Sequence, residues 1–324
     1  MAYAIQVQKF GGPEVLVYTE VTVPAPGPGQ VKIKQTACGV NFIDVYHRTG
    51  LYPQPSFPFT PGSEGAGVVT ELGAGVTDLK VGDRVAYAGA IGGYASERVI
   101  PAGILVKIPD SISDQTGAAM MLKGMTARYL LRKTYKVDKD TTLLWHAAAG
   151  GVGLIAMQWA RHLGATIIAT AGGKEKCALA KAAGATHVID YRSEKFVDRV
   201  KEITGGKLCD VVYDGVGKDT FPASLDCIKP LGLFVTFGNA SGPIDAFNAG
   251  ILSQKGSLYM TRPTMGTYIA TRPLLLETAN DLIDVVSKGI VKIDVTATYP
   301  LKDAAQAQRD LEGRKTTGSI VLLP

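Results

Sequence analysis

The first part of the chain, up to about residue 120, contains short runs in which hydrophobic and polar residues alternate. Alternation with period two is typical of β-strands that bury one face. Two proline-rich segments, 23–30 and 51–62, are predicted to be loops, because proline cannot donate to a central ladder. The runs that predict strands are AIQVQKF, VKIKQTACGV, GAGVVTELG and DRVAYAG. The pattern therefore predicts a β-rich N-terminal part.

The pattern changes near residue 125, where short apolar runs begin to alternate with segments of helical spacing. This order is typical of βαβ units and a parallel sheet. After about residue 270, LLLETANDLIDVVSKG predicts a helix and TGSIVLLP a final strand. The other predicted helices are GLIAMQWARHLG and KEKCALAKAAGA, and the predicted strands are TTLLW, ATIIATAGG, HVIDYR, CDVVYDGVG and LGLFVTFGN.

Composition narrows the functional classes. The 324 residues are 46% hydrophobic and 19% charged, an ordinary balance for a globular chain of about two domains. The net charge of +5 includes no run of five basic residues, which counts against nucleic-acid binding. No apolar stretch approaches the ~18 residues of a membrane span, and no signal peptide is recognisable. The four cysteines form no C-x-x-C pair and are expected to be free thiols in the cytoplasm.

The segment HAAAGGVG, His146–Gly153, is similar to the dinucleotide fingerprint G-x-G-x-x-G, with alanine at the first glycine position. A predicted strand precedes it, a predicted helix follows and a second strand comes next, which is the context in which the fingerprint binds nucleotides. The amides and dipole at the helix N-terminus favour a pyrophosphate, which Gly150 and Gly151 allow to approach. Ala148 suits the turn if its φ is negative. The alternative is a plain glycine-rich turn.

The residues after the next predicted strand favour NADP(H) over NAD(H). This strand ends at 171–173 without the acidic side chain that receives the ribose hydroxyl in NAD sites. Lys174 and Lys176 follow at once, and the segment DYR ends the strand after that, so cations and donors are available for a 2′-phosphate. Glu175 counts against this interpretation. The alternative is that the lysines only solvate the start of a helix.

Eight segments together identify a family resemblance: GVNFIDVYHRTGLYP, PGSEGAGVV, VGDRVAY, MLKGMTARYLL, HAAAGGVGLIAMQWA, VVYDGVG, FGNASG and GSLYMTRP. Over essentially its whole length the chain resembles the quinone oxidoreductases, the zeta-crystallin-like branch of the medium-chain dehydrogenase/reductases. The resemblance implies an α/β fold, with a Rossmann-type doubly wound parallel sheet inserted in a β-rich GroES-like catalytic domain. The implied domains are a catalytic part at 1–125, an NADP-binding part at 126–265 and a second catalytic part at 266–324.

The resemblance also implies an active-site cleft at the domain junction and a homodimer formed by pairing sheet edges near SLYMTRP. The zinc-dependent branch of the superfamily is the alternative, and the sequence departs from it at the ligand positions. The ligands of that branch fall on Asn41, Ser63, Glu64 and the Lys123–Gly124 region. A catalytic zinc needs three protein ligands, and only Glu64 is suitable. The resemblance therefore implies NADPH-dependent reduction of quinones without a metal.

The resemblance and the residue types together suggest the site residues. Asn41, at the vacated ligand position, is expected near the nicotinamide. Tyr46 and Tyr52 are candidates to stack on a flat substrate or to hydrogen-bond its oxygen, and the alternative for each is packing against the sheet. Arg262 and Arg314 are possible phosphate contacts. The other cofactor contacts implied by the resemblance are Thr126, Gly150, Gly151 and Val152 at its middle, Gly172, Lys176 and Tyr191 at the 2′-phosphate, Val216 on the adenosine side, and Phe237 and Asn239 at the nicotinamide end.

Two other functions stay open at this level. Reduction of an enone or alkenal uses the same conjugated carbonyl, so the motifs do not separate it from quinone reduction. The other is an NADPH-binding protein with a structural or RNA-binding role, against which the lack of a basic cluster counts. The expected partners are a small-molecule quinone and a second copy of the chain, without a membrane or a nucleic acid.

Overall fold

A computed structural model describes all 324 residues of the chain. The chain forms two compact units, and the division after residue 125 falls within a helix. The first unit consists of Met1–Met125, Ile269–Ser287 and Ile293–Pro324, and the second of Thr126–Tyr268 and Lys288–Lys292. None of the helices combines the length and the apolar character needed to cross a membrane.

The strands and helices are numbered in chain order. The strands are β1 (Ala2–Gln6), β2 (Val17–Val21), β3 (Gln30–Val40), β4 (Glu64–Leu72), β5 (Arg84–Ala88), β6 (Glu97–Pro101), β7 (Val106–Lys107), β8 (Thr142–Trp145), β9 (Thr166–Ala171), β10 (His187–Asp190), β11 (Cys209–Asp214), β12 (Ile228–Thr236), β13 (Tyr259–Thr261), β14 (Val295–Pro300) and β15 (Ser319–Leu323). The helices are α1 (Phe42–Thr49), α2 (Asp114–Tyr129), α3 (Gly151–His162), α4 (Lys174–Ala183), α5 (Phe196–Ile203), α6 (Gly250–Gln254), α7 (Met265–Tyr268), α8 (Arg272–Ser287) and α9 (Ala304–Glu312).

The first unit is built on a seven-stranded sheet in the order β14-β15-β3-β4-β5-β7, with β6 also paired to β3. Its β3–β4, β4–β5 and β15–β3 pairs are antiparallel. The long strand β3 shows the predicted alternation, because Val31 and Ile33 are buried while Lys32 and Lys34 are not. Its last residues, Cys38 to Val40, are buried on both faces. The β-rich N-terminal part predicted from the sequence is confirmed.

The second unit is a six-stranded sheet in the order β10-β9-β8-β11-β12-β13, and every pair in it is parallel. This is the strand order of the doubly wound dinucleotide-binding fold, in which the order of addition reverses at β8: β9 and β10 lie on one side of it, and β11, β12 and β13 on the other. The strands are apolar on both faces, as Leu143, Leu144, Ile167 and Ile168 show by being fully buried. The predicted α/β fold with a Rossmann-type parallel sheet is confirmed.

The sequence patterns did not predict α2. Ala118, Ala119, Met120 and Met121 follow one another in this helix, and all four are fully buried. A helix that is buried on every side shows no amphipathic stripe, so its hydrophobic residues have no helical period to detect. The helix is important for the site because it carries Lys123.

Candidate functional site

The glycine loop connects β8 to α3, with Gly150 as the N-cap. No side chain caps this helix, and its first backbone bond runs from Leu154 N to Gly150 O at 2.9 Å. The amides of Gly151 and Val152 in the first turn are therefore left to a ligand or to water. Together with the helix dipole they form an anion-binding end.

The backbone of this loop explains how alanine replaces the first glycine of the fingerprint. The left-handed residue is Ala147, with a φ of 54°, and Ala148 is not among the residues with positive φ. The sequence analysis required a negative φ at Ala148, and the structure agrees with this. A Cβ on Gly153 would stand 2.5 Å from the Ala148 carbonyl oxygen, so glycine is required there for the helix to lie against the loop.

The next strand, β9, ends in a second glycine turn that lies beneath two side chains from the end of β10. A Cβ on Gly172 would stand 2.7 Å from Tyr191 Cζ and 3.3 Å from Arg192 Nε, and one on Gly173 would stand 3.1 Å from Arg192 Nη1. The Gly173 amide donates to Asp190 Oδ1 at 2.9 Å, which joins the turn to β10. A phenol hydroxyl and a guanidinium therefore border this turn.

Lys176 lies in the first turn of α4, directly after the Gly172–Gly173 turn, and is half-buried. Lys176 thus follows the turn that Tyr191 borders, and the contact of these residues with a 2′-phosphate stays a prediction. Arg192 belongs to the same surface but was not among the predicted contacts. Its position directly after Tyr191 in DYR was the available signal.

The ends of β11 and β12 form the other half of this sheet edge. The Asp214 carboxylate is buried and accepts from the amides of Val216 at 2.7 Å and Gly217 at 3.1 Å, which shapes the turn after β11. The Phe237 amide donates to the Asp214 carbonyl at 2.8 Å. Val216 and Phe237 are therefore held in neighbouring turns, and the buried Asn239 follows two residues later.

Arg262 forms hydrogen bonds to the end of β12 and to the turn that follows it. Its Nη1 donates to Thr236 Oγ1 at 2.8 Å and to the Gly238 carbonyl at 3.0 Å. The structure therefore gives this arginine a definite role in supporting the segment that contains Phe237. Its predicted contact with a phosphate stays a prediction.

Two further predicted cofactor residues, Thr126 and Arg314, do not belong to the turns described above. Thr126 is a half-buried residue of α2 whose hydroxyl bonds Tyr129, and the Tyr129 ring stacks on Tyr268 at 4.5 Å. Arg314 belongs to the first unit, where it follows α9 as an exposed residue with a φ of 55°.

His146, the first residue of the HAAAGGVG segment, is almost completely buried. Its Nδ1 pairs with Thr170 Oγ1 and its Nε2 with Ser224 Oγ, each at 2.9 Å. Burial lowers the pKa of this imidazole, so it is neutral at physiological pH. It connects β8 to β9 and to the turn before β12, which is a structural role.

Asn41 opens helix α1 in the first unit. Its backbone amide donates at 2.9 Å to the carboxylate of Asp44, which also accepts from Ser63 Oγ at 2.8 Å and from the Tyr94 hydroxyl at 2.9 Å. Burial raises the pKa of Asp44 to about 6, although these three donors oppose the rise. The start of α1 is therefore held in place by a fully buried acid.

Tyr46 and Tyr52 form an aromatic pair at the other end of α1. Their rings meet edge to face at 5.3 Å, and the Tyr52 amide donates to the Tyr46 carbonyl at 3.0 Å. Both rings are half-buried, and Phe42 lies 6.4 Å from Tyr46. The chain thus brings together the two tyrosines and, at the start of the same helix, Asn41.

Glu64 lies at the centre of a polar cluster that the sequence analysis did not predict. Its Oε1 accepts from Asn41 Nδ2 at 2.8 Å and from Lys123 Nζ at 2.7 Å, and its Oε2 accepts from the Leu122 amide at 2.7 Å. Glu64 is fully buried. The available signal was the pair of zinc-ligand positions at Glu64 and Lys123.

This cluster does not fit a zinc ion. An ammonium group already lies against the one carboxylate, and a metal would have to displace Lys123 Nζ from it. No group of three or more His, Cys, Asp or Glu side chains in the 324 residues is arranged to hold a metal. The donor set of Asn41, Ser63 and Glu64 also lacks the nitrogen and sulfur ligands that zinc prefers.

Known families and structures resemble both units. Residues 151–281 match the zinc-binding dehydrogenase family and residues 27–110 match the alcohol dehydrogenase GroES-like domain. The chain is 51% identical over 325 residues to a quinone oxidoreductase of Pseudomonas aeruginosa, with 100% of each chain covered. It is 46% identical to a 2-haloacrylate reductase of Burkholderia, covering 100% of this chain and 99% of that one. The crystal structure of Escherichia coli quinone oxidoreductase complexed with NADPH matches with a TM-score of 0.98 at 50% identity, covering 99% of this chain and 100% of that one.

Proposed function

The chain belongs to the quinone oxidoreductase family of the medium-chain dehydrogenase/reductases, and from that membership we propose that it is an oxidoreductase that reduces quinones with NADPH. One observation carries the proposal. In the sheet order β10-β9-β8-β11-β12, the strand ends place Tyr191, Gly172, Gly150, Val216 and Phe237 in sequence along one edge. This is a path for an extended dinucleotide, with its pyrophosphate at the point where the strand order reverses.

The residues along this edge suit the parts of NADPH in turn. The exposed Tyr191 and the half-buried Lys176 would bind the 2′-phosphate, together with Arg192. The residues that end β9, at 171–173, carry no acidic side chain, and the nearby Asp190 carboxylate is engaged by the Gly173 amide. The first-turn amides of α3 would bind the pyrophosphate. Phe237 would bind the nicotinamide end. Val216, which the resemblance assigned to the adenosine side, follows β11 and would on this path lie between the pyrophosphate and the nicotinamide. Thr126, Asn239, Arg262 and Arg314 are further cofactor contacts that only the resemblance implies.

The bound cofactor supplies the hydride, and the residues of the first unit orient the acceptor and stabilise its charge. A quinone carbonyl is electrophilic without a metal, so hydrogen-bond donors at its oxygen are sufficient. Asn41 Nδ2 and the hydroxyls of Tyr46 and Tyr52 are the proposed donors to the oxygen on which negative charge develops. The tyrosine pair also offers a flat aromatic surface for a quinone ring.

The proposal includes a homodimer in the cytoplasm. The edge strand β13 has a free side in the six-stranded sheet, and its Tyr259 is 63% exposed. Unpaired edge strands are ready to pair with another copy of the chain. Four free thiols support a reducing compartment. Light scattering during size-exclusion chromatography tests the dimer, with Met260→Pro expected to produce the monomer.

The reaction is tested with the purified protein, NADPH or NADH, and two acceptors of similar size, benzoquinone and an enone. NADPH-selective turnover of benzoquinone is the expected result. Tyr46→Phe and Tyr52→Phe remove the two hydroxyls while keeping the rings, and each is expected to lower kcat. Tight NADPH binding without turnover of either acceptor would contradict the proposed reaction.

A second reaction, reduction of an activated alkene, has a specific observation in its favour. The 2-haloacrylate reductase is 46% identical over 332 residues. A conjugated alkene and a quinone both develop negative charge on a carbonyl or carboxyl oxygen, so the same donors suit both. Faster turnover of the enone than of benzoquinone would favour this function.

A further inference from the structure

Lys123, Glu64 and Asn41 form a buried polar cluster in the first unit. Glu64 is fully buried, and Lys123 and Asn41 are each only 6% exposed. Both nitrogens, Lys123 Nζ and Asn41 Nδ2, donate to the same Glu64 oxygen. Burying an ammonium and a carboxylate costs both groups their hydration free energy. The attraction between them offsets roughly this cost, so such a pair by itself stabilises a fold little. Its specific effect is the way it holds Asn41.

A carboxylate can only accept hydrogen bonds. With Glu64 on one side, the Asn41 amide must turn its Nδ2 toward Glu64, and the exchanged orientation would place two acceptors against each other. Asn41 Nδ2 makes one hydrogen bond within the chain, to Glu64 Oε1 at 2.8 Å. Its second hydrogen stays in the amide plane as a donor of fixed direction.

The charge of Glu64 would oppose catalysis if it stood alone. Negative charge develops on the acceptor oxygen that Asn41 is proposed to bind, and the Glu64 carboxylate lies on the other side of the Asn41 amide. The two negative charges would repel each other, and this repulsion is strong where water is excluded. Lys123 Nζ lies 2.7 Å from that carboxylate and makes the pair neutral overall. Lys123 thus removes the electrostatic penalty of holding the amide with an acid.

The backbone provides the space for this arrangement. A Cβ on Gly39 in β3 would overlap the Glu64 side chain and the Ala118 carbonyl of α2. Gly39 does not have a positive φ. Glycine is therefore needed at this position because β3, the Glu64 side chain and α2 approach one another closely, and not because of the backbone conformation. Gly39 allows the Glu64 side chain to cross β3 and reach both Asn41 and Lys123.

We propose that Glu64 and Lys123 are positioning residues for the reaction. Glu64 orients the Asn41 amide so that one N–H is presented to the acceptor oxygen, and Lys123 offsets the charge of Glu64 so that the developing oxyanion is not repelled. This inference rests on the proposed function, because it requires Asn41 to donate to the acceptor.

Kinetics of charge variants test the electrostatic part. Lys123→Met keeps the length of the side chain and leaves Glu64 uncompensated, and we expect kcat with benzoquinone to fall roughly 10- to 100-fold while the NADPH dissociation constant is unchanged. The double variant Lys123→Met/Glu64→Gln is neutral, retains an acceptor for Asn41 and buries no lone ion. Its kcat is expected to recover to within roughly five-fold of the unmodified protein, since only hydrogen-bond strength is lost.

A matched control is available on the same helix. Asp114 of α2 pairs with Arg84 at 2.6 Å, and both side chains are partly exposed. Asp114→Asn makes the same carboxylate-to-amide change away from the cluster. Because partly exposed ion pairs contribute little, this variant is expected to keep kcat within about two-fold.

A spectroscopic measurement tests the positioning of Asn41 without turnover or cofactor. The chain has only four asparagines, at 41, 239, 248 and 280, so protein labelled with ¹⁵N in the asparagine side-chain amide gives four nitrogen signals, each with a pair of proton cross-peaks. Asn41→Ser assigns the signal of interest. We expect this signal to be protected from solvent exchange and to move in Lys123→Met and in the double variant, but not in Asp114→Asn.

The inference is overturned if the Asn41 signal is unchanged in folded Lys123→Met, or if the double variant is as slow as Lys123→Met. If Lys123→Met does not fold, the double variant still tests the inference. A loss of more than roughly 100-fold in the kcat of the double variant would contradict the role of a neutral pair. A failure of the proposed function is distinguishable from these outcomes. In that case the unmodified protein does not reduce benzoquinone, whereas the Asn41 signal still responds to Lys123.

Discussion

The hydroxyl end of Tyr191 lies directly over Gly172, so that a Cβ on this glycine would stand 2.7 Å from Tyr191 Cζ and closer still to the hydroxyl oxygen. The two residues directly follow neighbouring parallel strands, Gly172 after β9 and Tyr191 after β10. A glycine at this position therefore lets a donor side chain lie against the turn at which a 2′-phosphate is proposed to bind.

Replacing Gly172 by alanine is expected to weaken NADPH binding with little effect on stability. Tyr191 is 44% exposed and can swing away from a new Cβ, so the fold loses little. The displaced hydroxyl no longer lines the turn, and the NADPH dissociation constant is expected to rise roughly ten-fold, as for loss of one hydrogen bond to a charged group. Fluorescence titration measures this constant. Gly103→Ala is the control, because a Cβ there meets no atom within 4 Å.

Replacing Lys176 by alanine is expected to remove the preference for NADPH. Loss of a cation from a 2′-phosphate site raises the NADPH dissociation constant roughly ten- to one-hundred-fold, because charge-assisted hydrogen bonds are the strong ones. NADH lacks this phosphate, so its dissociation constant in the same variant is the internal control. Equal losses for the two cofactors would point to a damaged fold, and no loss for either would contradict the phosphate site.

The buried Asp44 is expected to make stability depend on pH. Burial raises its pKa from 3.8 to about 6, so between these pH values the folded state holds a proton that the unfolded chain has released. The contribution of Asp44 to the free energy of unfolding is therefore full below pH ~4 and falls by about 3 kcal/mol as the pH rises through ~6. Urea unfolding at several pH values measures this slope.

Asp44→Asn is the matched variant for that measurement, since an amide keeps the shape and most of the hydrogen bonds. Burial lowers the pKa of His47 and of His146, so these histidines stabilise the fold above their unfolded pKa and lose that contribution as the pH falls. They are present in both proteins, so the difference between the two curves isolates Asp44. Parallel curves would show that Asp44 does not titrate in this range.

Replacing Gly39 by alanine is expected to destabilise the first unit by about 1–3 kcal/mol, as other overpacked cores are destabilised. The new Cβ would meet the Ala118 carbonyl, which belongs to a helix backbone and cannot turn aside. Chemical unfolding measures the loss, and Gly103→Ala again supplies an alanine in open space. A Gly39→Ala protein as stable as the unmodified one would contradict the close approach of β3 and α2.

The sequence predicted the second unit well because its signals are local. The first two βα units there combine a short apolar run, a glycine turn and a helix, as TTLLW, HAAAGGVG and GLIAMQWARHLG do. For the first unit, the sequence predicted a β-rich N-terminal part, the helix that is now α8 and the final strand β15, but not its other helices. Its helix α2 was not predicted, because Ala118–Met121 are all buried and their sequence shows no helical period.

The sequence by itself determined the alternation of strands and helices over 142–183, the glycine turn at Gly150–Gly151, and the replacement of zinc ligands at Asn41 and Ser63, because these depend on residue type and short spacing. Only the tertiary structure decided that Lys123 pairs with Glu64, which is 59 positions away in the chain. It also decided that Asp44 is buried among donors. Such pairings depend on which strands become neighbours and on how much water is excluded between them, and neither quantity is encoded in any local stretch of residues.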